Sequence, residues 1–315
     1  MIKKVFIVKF FQELPIYKNY IIKVSCRLAI LGIIIILVRL FAFELFSIPS
    51  ESMFPTLVIG DKIIVNKYQY GSRIFDIFEF NKQKKERFFR INGLSKVKRG
   101  DIVVFNYPNL SENNPYGDYF IKRCQALPGE VFEIKNNTIY CNNIKVFSYS
   151  SLESKKKLEK EKEHYNSKNR RKAYLKIEEK LKEMLSTVLF PHDKDICWSL
   201  SSYGPLIIPA KGETMHISLS NISIYKSVIE FEDNKLEIRN GLFYINNRVT
   251  SHYTFKKNYY FMIGDNFDSS NDSRYWGFVP ENNIVGKAEL VLFSLDPHER
   301  WYRKFRWNRL LKRIE

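Results

Sequence analysis

Cysteine and histidine are scarce in this sequence, which has four cysteines and five histidines in 315 residues. No Cys-x-x-Cys pair occurs, and no cysteine has a histidine partner at the spacing of a zinc site. We therefore expect neither a metal nor another cofactor. Cys26 lies beside a hydrophobic segment, so at most one disulfide is plausible among Cys124, Cys141 and Cys197. The favoured interpretation is that these three are free or buried thiols.

Acidic residues are also few, with 34 Asp and Glu against 51 Lys and Arg, which gives a formal net charge of +17. Basic chains can bind nucleic acid. The basic residues are scattered along the whole chain, however, and we expect no nucleic-acid partner. Attraction to the anionic headgroups of phospholipids is the more natural use of this charge in a chain that is anchored to a membrane.

The sequence also lacks the usual signals of a Ser-His-Asp hydrolase. It contains no Gly-x-Ser-x-Gly turn. The histidines that a triad would need as a base all lie outside the motif blocks described below. They are His164, His192, His216, His252 and His298. A catalytic serine in this chain would therefore need a base of another kind.

A hydrophobic run over residues 28–47 is interrupted only by Arg39 and Glu44, where long side chains can reach the membrane interface. Residues 1–27 before it are basic and are predicted to be cytoplasmic. A removable signal peptide would have similar flanks, but no small-x-small cleavage site precedes Ser50. We therefore predict an uncleaved, single-pass transmembrane helix over 28–47.

The rest of the chain divides by composition, and no internal repeat is present. Short runs rich in Val, Ile and Phe, separated by Gly and Pro turns, predict β-structure over 48–150 and again over 205–296. Residues 151–204 contain a dense charge run with apolar residues at helical spacing, which predicts a charged helical insertion. The segment 297–315 is basic and aromatic. It could lie on a membrane surface, and a disordered tail is nearly as good an interpretation.

A Ser-x-Ser-Met-x-Pro-Thr string follows directly on the hydrophobic run, within residues 48–57. Pro49 and Pro55 fix φ at two points and so shape the backbone around Ser50 and Ser52. A hydroxyl nucleophile needs such rigid presentation, beside a second donor that can meet a developing oxyanion. The string therefore predicts a nucleophile at the membrane surface, which would act on a substrate that is itself in the membrane.

Three further blocks share the order of a known family. They are Gly60–Lys67, the region Arg99–Glu130 with Ile-Lys122-Arg inside it, and Met262–Glu281, which begins Met-Ile-Gly-Asp-Asn. Together with the first string they resemble the type I signal peptidases, membrane-bound serine proteases that remove signal peptides from exported proteins. The resemblance covers about 48–130 and 258–290 and says little about 140–205. It implies a coiled, antiparallel β catalytic domain, so the expected fold is mainly β.

The resemblance assigns roles to individual residues. It implies that Ser52 is the nucleophile and that Lys122 is its general base, which must be neutral to accept a proton. Ser50 would complete the oxyanion hole, and Ser270 would orient the lysine amine. Structural support would come from Gly264 and from an ion pair between Asp272 and Arg274.

The family accepts small residues at the −1 and −3 positions of its substrates, which implies shallow apolar pockets. The candidates for lining these pockets, or for surrounding the base, are Ile48, Met53, Leu57, Phe120 and Ile121.

Two positions depart from the family pattern. Glu51 stands between the serines where glycine is usual, which is harmless if its backbone keeps φ below zero and its side chain points outward. Phe267 stands where arginine is common, so one polar contact would be missing. The acidic loop 265–272 vaguely resembles a calcium loop but lacks the turn glycine and the terminal Glu.

We therefore predict an endopeptidase that cleaves the signal peptides of preproteins at the outer, periplasmic face of the cytoplasmic membrane. Its N-terminus would lie in the cytoplasm, and no obligate protein partner is expected. A catalytically inactive, membrane-anchored binding protein on the same scaffold is the alternative, although the intact Ser52 and Lys122 argue against it. A soluble nucleic-acid binder is a more distant one.

Overall fold

A long helix, α1 (Ile2–Phe41), precedes all the strands of this computed structural model, which describes residues 2–75, 88–108, 118–148, 188–297 and 299–315. Its segment Tyr20–Arg39 spans 20 residues with a mean hydropathy of 2.6, and none of it is buried against the protein. By length and composition this helix can cross a membrane.

The strands that follow are short, apart from one of eleven residues. In chain order they are β1 (Phe43–Ser47), β2 (Asp61–Asn66), β3 (Arg73–Phe75), β4 (Phe88–Arg90), β5 (Ile102–Asn106), β6 (Tyr119–Ala126), β7 (Val131–Lys135), β8 (Thr138–Cys141), β9 (Ile144–Ser148), β10 (Ser202–Ile207), β11 (Thr214–His216), β12 (Leu236–Arg239), β13 (Leu242–Ile245), β14 (Arg248–Val249), β15 (His252–Thr254), β16 (Tyr259–Ile263), β17 (Val279–Pro280), β18 (Ile284–Ser294) and β19 (Lys312–Arg313).

The helix and its apolar span differ at both ends from the bounds predicted for the transmembrane helix, 28–47. The helical backbone already runs through residues 2–27, and the apolar span begins at Tyr20. At the other end the helix stops at Phe41, and β1 pairs antiparallel with β2 from Phe43↔Asn66 to Ser47↔Lys62. Burial alternates along β1 with a period of two, which is the pattern of a strand with one face covered. Hydrophobicity alone could not separate this strand from the end of the helix.

A curled antiparallel sheet forms the centre of the fold, with strand order β1-β2-β18-β5-β6-β16-β17 and with β19 added to β18. The register of β18 shifts at three points, against β5 between Ile284 and Gly286 and against β2 near Ala288 and Val291. Such bulges bend a strand and increase its twist. The predicted mainly β fold with a coiled antiparallel sheet is therefore confirmed.

Alternate residues of the central strands face two separate cores. Ile102 and Val104 of β5 pack with Met53 in one cluster, whereas Val103 and Phe105 belong to the other. A third and larger core lies under the four-stranded sheet β10-β7-β8-β9 and the helix α2 (Ile222–Phe231). The smaller sheets β11-β15, β12-β13-β14 and β3-β4 complete the topology of the described chain.

The predicted insertion, 151–204, lies largely outside the described residues, because these resume only at 188. From Leu189 to Ser201 the chain forms turns and bends, and β10 begins at Ser202. This strand therefore runs across the predicted boundary at 204/205. Phe190 is buried, and its N–H donates to the carbonyl of Arg274 at 2.9 Å.

The segment 299–315 is folded, so the alternative of a disordered tail is wrong. Its strand β19 pairs with β18, and Phe305 forms a β-bridge with Leu295. Trp301 and Trp307 remain exposed. All four cysteines are free, and Cys124 and Cys141 are buried, in agreement with the interpretation favoured from the sequence.

The largest core can be tested with two leucines. Leu206 has no exposed surface, whereas Leu242 is about half exposed. We expect Leu206→Ala to lower the free energy of unfolding by about 2–5 kcal/mol, because it removes buried methyl groups and leaves a cavity. Leu242→Ala is the control and should change it by less than about 1 kcal/mol. Urea unfolding followed by circular dichroism measures both, and equal effects would contradict this description of the core.

Candidate active site

Ser52 lies in the loop between β1 and β2. The loop is closed at its base, where the N–H of Ile48 donates to the Asp61 carbonyl at 2.9 Å. Met53 and Leu57 are buried on either side of a turn in which the N–H of Leu57 donates to the Met53 carbonyl. Two apolar anchors and a closed base thus hold the backbone of the loop on either side of Ser52.

Lys122 lies in the middle of β6, where it pairs with Val103 of β5. Its Nζ lies 2.6 Å from Oγ of Ser52, within hydrogen-bond distance. The lysine is only 3% exposed. The structure therefore brings together two residues that are 70 positions apart in the sequence, as the resemblance implied.

Burial lowers the pKa of the Lys122 amine to about 8, because the charged form loses its hydration. The carboxylates of Asp272 and Asp265 act in the opposite direction, and Arg274 lowers the pKa further. The ring of Phe120 lies 5.6 Å from the amine and contacts Trp276 edge-on. This aromatic wall keeps water from one side of the amine. Near pH 8 about half of the Lys122 amines are therefore neutral and able to accept a proton.

Ser50 is exposed, and its Oγ lies 3.4 Å from Oγ of Ser52. A hydroxyl at this position is close enough to Ser52 to donate to a negatively charged oxygen that forms beside it. The intervening Glu51 is exposed, and its φ is not positive. Its carbonyl accepts from Nδ2 of Asn266 at 3.1 Å. The departure at this position therefore leaves the backbone of the loop in an ordinary conformation.

Ser270 is buried beside Gly264, at the end of β16. Its Oγ has no hydrogen-bond partner among the residues that the structure describes. A Cβ on Gly264 would lie 2.1 Å from this Oγ and 2.4 Å from the Ser52 carbonyl oxygen, so only glycine fits here. Ser270 therefore lies close to Gly264 and Ser52, and within the described chain its hydroxyl makes no bond to the Lys122 amine that the resemblance implies it orients.

Asp272 and Arg274 form a fully buried ion pair, as the resemblance implied. Nε and Nη2 of the arginine each donate to the carboxylate at 2.8 Å. The same carboxylate accepts the N–H of Gly264 at 3.1 Å, so the pair holds the glycine beside Ser52. Phe267, the second departure, supports this pair: its ring lies 3.9 Å from the guanidinium, and its carbonyl accepts from Nη2.

A second Arg–Asp pair lies beside Lys122 and was not predicted from the sequence. Arg123, next to the base, donates from Nε and Nη2 to Asp265 at 2.8 and 2.7 Å. The hydroxyl of Thr56 donates to the same carboxylate at 2.6 Å. The N–H of Asn266 donates to the Ser52 carbonyl at 3.0 Å. Arg123, Asp265, Asn266 and Thr56 all lie inside the sequence blocks. The place of Arg123 directly after Lys122, and of Asp265 directly after Gly264, could have indicated that they support the site.

The candidate substrate residues separate into two groups. Ile48, Met53 and Leu57 are buried in one cluster, and Ile121 packs against it. Phe120 belongs to the other face of the sheet. Leu57 has no exposed surface, so in this structure it can only support a pocket from below.

The described residues contain no group of three or more His, Cys, Asp or Glu side chains that could hold a metal ion. In the acidic loop 265–272, the carboxylates of Asp265 and Asp272 are paired with Arg123 and Arg274. These carboxylates fix the architecture of the site.

The buried ion pair gives a prediction for stability. We expect Arg274→Met to lower the free energy of unfolding by about 3–5 kcal/mol, because it leaves the Asp272 carboxylate buried without its partner. The control is Lys135→Met, which removes an exposed partner of Glu133 and should cost about 1 kcal/mol or less. Urea unfolding measures both variants. A loss below about 1 kcal/mol for Arg274→Met would contradict the structural role of the pair.

Comparison with known proteins identifies the family of the chain. Residues 21–293 match the model of the family described as signal peptidase, peptidase S26. A signal peptidase I of Buchnera aphidicola subsp. Acyrthosiphon pisum is 31% identical over 299 residues, which cover 93% of this chain and 82% of that protein. The signal peptidase I of Buchnera aphidicola subsp. Schizaphis graminum is 34% identical over 280 residues, 84% of this chain and 73% of that protein.

A solved signal peptidase I from Enterococcus faecalis is 19% identical and covers 62% of this chain and 98% of its own, with a TM-score of 0.28. At that score the likeness carries no argument about the fold. The family model and the curated relatives nevertheless confirm the family predicted from the four sequence blocks and, with it, a serine endopeptidase. This chain belongs to the signal peptidase family of peptidases, family S26.

Proposed function

We propose that this chain is a membrane-anchored endopeptidase that removes signal peptides from preproteins, with Ser52 as nucleophile and Lys122 as general base. The observation that carries the proposal is the 2.6 Å distance between Lys122 Nζ and Ser52 Oγ at a lysine that is 3% exposed. A buried amine with a pKa of about 8 can be neutral and can accept the serine proton.

In the first half of the proposed reaction, the neutral Lys122 amine takes the proton of the Ser52 hydroxyl as Oγ attacks the scissile carbonyl carbon. The oxyanion that forms accepts hydrogen bonds from the Ser50 hydroxyl and from the Ser52 N–H. The protonated amine then gives its proton to the leaving nitrogen. The C–N bond breaks, the mature protein leaves with a new amino terminus, and the signal peptide remains as an ester on Ser52.

In the second half, water attacks the ester and Lys122 accepts a proton from it. The ester C–O bond breaks, Ser52 recovers its proton, and the signal peptide leaves with a free carboxyl group. Ser270, whose buried hydroxyl has no hydrogen-bond partner within the described chain, is the proposed group that orients the lysine amine. Ile48, Met53 and Ile121 would line the pockets for small residues at −1 and −3, with Leu57 supporting them from below and Phe120 on the other face of the sheet.

The location of the site supports action at a membrane. The apolar span ends at Arg39, four residues before β1, and Lys67 Nζ donates to the Arg39 carbonyl at 2.5 Å, tying the helix end to the sheet. Lys3, Lys4, Lys9 and Lys18 precede the span. By the positive-inside rule these lysines support a topology with the N-terminus in the cytoplasm and the catalytic domain on the periplasmic side of the cytoplasmic membrane.

The test uses the full chain in detergent micelles and a synthetic signal peptide with alanine at −1 and −3. We expect Ser52→Ala and Lys122→Ala to lower kcat/KM by at least about 10⁴-fold. Lys122→Arg should be equally inactive, because a guanidinium stays protonated. Lys145→Ala is the control, at an exposed residue of β9. Activity in Lys122→Arg would show that Lys122 is not the general base. An inactive wild type would favour a binding protein on this scaffold.

The pH dependence of the wild type should follow the neutral form of Lys122. Below pH 8 the amine is protonated, so kcat/KM should fall tenfold per pH unit and should level off above about pH 8. Phe120→Ser admits water beside the amine and should move this midpoint to higher pH. Tyr119→Ser, at the exposed neighbour on the other face of β6, should leave it unchanged. Equal midpoints in all three proteins would contradict the desolvation by Phe120.

Ser50 gives a separate prediction. We expect Ser50→Ala to lower kcat by about 10²–10³-fold without abolishing it, because one donor to the oxyanion is lost while the Ser52 N–H remains. Circular dichroism should show an unchanged fold. Steady-state kinetics on the same peptide measures the effect, and a kcat within twofold of the wild type would reduce Ser50 to a residue of the turn.

A further inference from the structure

The segment 299–315 lies against the loop that carries Ser52, although the proposed reaction makes no use of it. The backbone of this tail is fixed by β19 on β18 and by the bridge between Leu295 and Phe305. Gly60 of the loop approaches Leu295, the residue that bridges to Phe305 of the tail. A Cβ on Gly60 would lie 1.9 Å from the Leu295 carbonyl oxygen. The tail and the loop therefore meet in one defined arrangement.

Arg309 of the tail is 8% exposed and binds two groups of the loop at once. Its guanidinium pairs with the fully buried carboxylate of Asp61, with Nε 2.8 Å from Oδ1, and Nη2 donates to the Thr56 carbonyl at 2.9 Å. The same carboxylate accepts the N–H of Val58 at 2.9 Å. A planar guanidinium that makes these bonds together fixes the relative positions of all three partners.

Arg306 makes a second contact to the same loop. Its Nη1 donates to the Ile59 carbonyl at 2.7 Å and to the Ser294 hydroxyl at 3.1 Å. Its Nη2 pairs with Asp296 at 2.7 Å. The tail therefore holds two carbonyl groups of the nucleophile loop, at residues 56 and 59.

These contacts continue to the strand of the general base. The hydroxyl of Thr56, whose carbonyl Arg309 binds, donates to Asp265, and Asp265 pairs with Arg123. Arg123 follows Lys122 directly and also donates to the carbonyl oxygen of Glu315 at 3.0 Å. The tail thus contacts both elements that must be held together, the loop of Ser52 and the strand of Lys122.

We propose that Arg309, supported by Arg306, is a positioning residue of this peptidase, which fixes the loop 52–60 so that the Ser52 hydroxyl stays within reach of Lys122. The inference rests on the proposed function, since it concerns the rate at the same site. Arg309 acts through Thr56 and Asp61 on the placement of the nucleophile. A misplacement of about 1 Å in a reacting group can cost about 10²-fold in rate.

The test compares tail variants of the full chain in detergent micelles, with the same synthetic signal peptide. We expect Arg309→Gln to lower kcat by about 10²-fold with KM within about threefold of wild type, because the nucleophile is misplaced while the substrate pockets remain. The midpoint of the pH profile should stay near 8, since the surroundings of Lys122 are unchanged. Arg309→Lys should recover about tenfold of the loss, because an ammonium replaces the charge but not the planar fork.

Arg303→Gln removes the same charge from the tail and is the matched control. Its guanidinium lies over the ring of Tyr302 at 5.9 Å and, within the described chain, makes no hydrogen bond to residues 52–61. Hydrogen exchange of the loop 52–61, read by mass spectrometry, should increase in Arg309→Gln and stay at the wild-type level in Arg303→Gln. This readout does not require cleavage.

Arg306→Gln is the second variant and should lower kcat by about threefold to tenfold, since it removes one of the two contacts to the loop. If Arg309→Gln fails to fold, the kcat of Arg306→Gln tests the positioning role instead. If Arg309→Gln folds, a kcat within twofold of wild type would overturn the inference. If it does not fold, a kcat within twofold of wild type in Arg306→Gln would do so. A loss of kcat in Arg303→Gln equal to that in the decisive variant would also overturn it. If the wild type does not cleave, the proposed function fails, and unchanged exchange of the loop in Arg309→Gln would overturn the positioning role separately.

Discussion

A lysine amine held out of water beside a serine hydroxyl is the constraint on which the rest of the site depends. A lysine in water keeps its proton at neutral pH, and burial without a directly paired carboxylate favours the neutral amine that a base requires. Two carboxylates lie near enough to oppose this, those of Asp265 and Asp272, and both raise the pKa of Lys122. Each is paired with its own arginine, which compensates its charge and allows the neutral amine.

The sheet brings these groups together. Because residues alternate along β6, Lys122 and Arg123 leave opposite faces of one strand, so the base and the partner of Asp265 are placed by a single backbone. The neighbouring β16 ends at Ile263, directly before Gly264 and Asp265, and the Asp272 carboxylate holds the Gly264 N–H. The loop of Ser52 then meets this corner through the N–H of Asn266. Close packing at Gly264 explains why Ser52 approaches Lys122 without a side chain between them.

The sequence was most informative where the candidate site residues lie in short contiguous motifs. The Ser-Met and Ile-Lys-Arg strings predicted the pair whose Nζ and Oγ the structure places 2.6 Å apart, and the family they indicated is confirmed. It was least informative where pairing joins distant residues. Arg309 and Asp61 are 248 positions apart, and nothing local distinguishes Arg309 from the other basic residues of the tail. The end of α1 was not predicted from the sequence, for a different reason. An amphipathic strand such as β1 continues the apolar composition of the helix, so composition does not mark where the helix stops.

The most direct test of this account is the titration of the Lys122 amine itself. The full chain in micelles, labelled with ¹³C at the ε-carbon of lysine, can be followed by NMR, and the resonance of Lys122 is the one that is missing from Lys122→Ala. We expect a midpoint near 8 for the Lys122 amine. A midpoint near 10.4, the ordinary value of an exposed lysine, would show that the amine is protonated at neutral pH and would contradict its role as the base for Ser52.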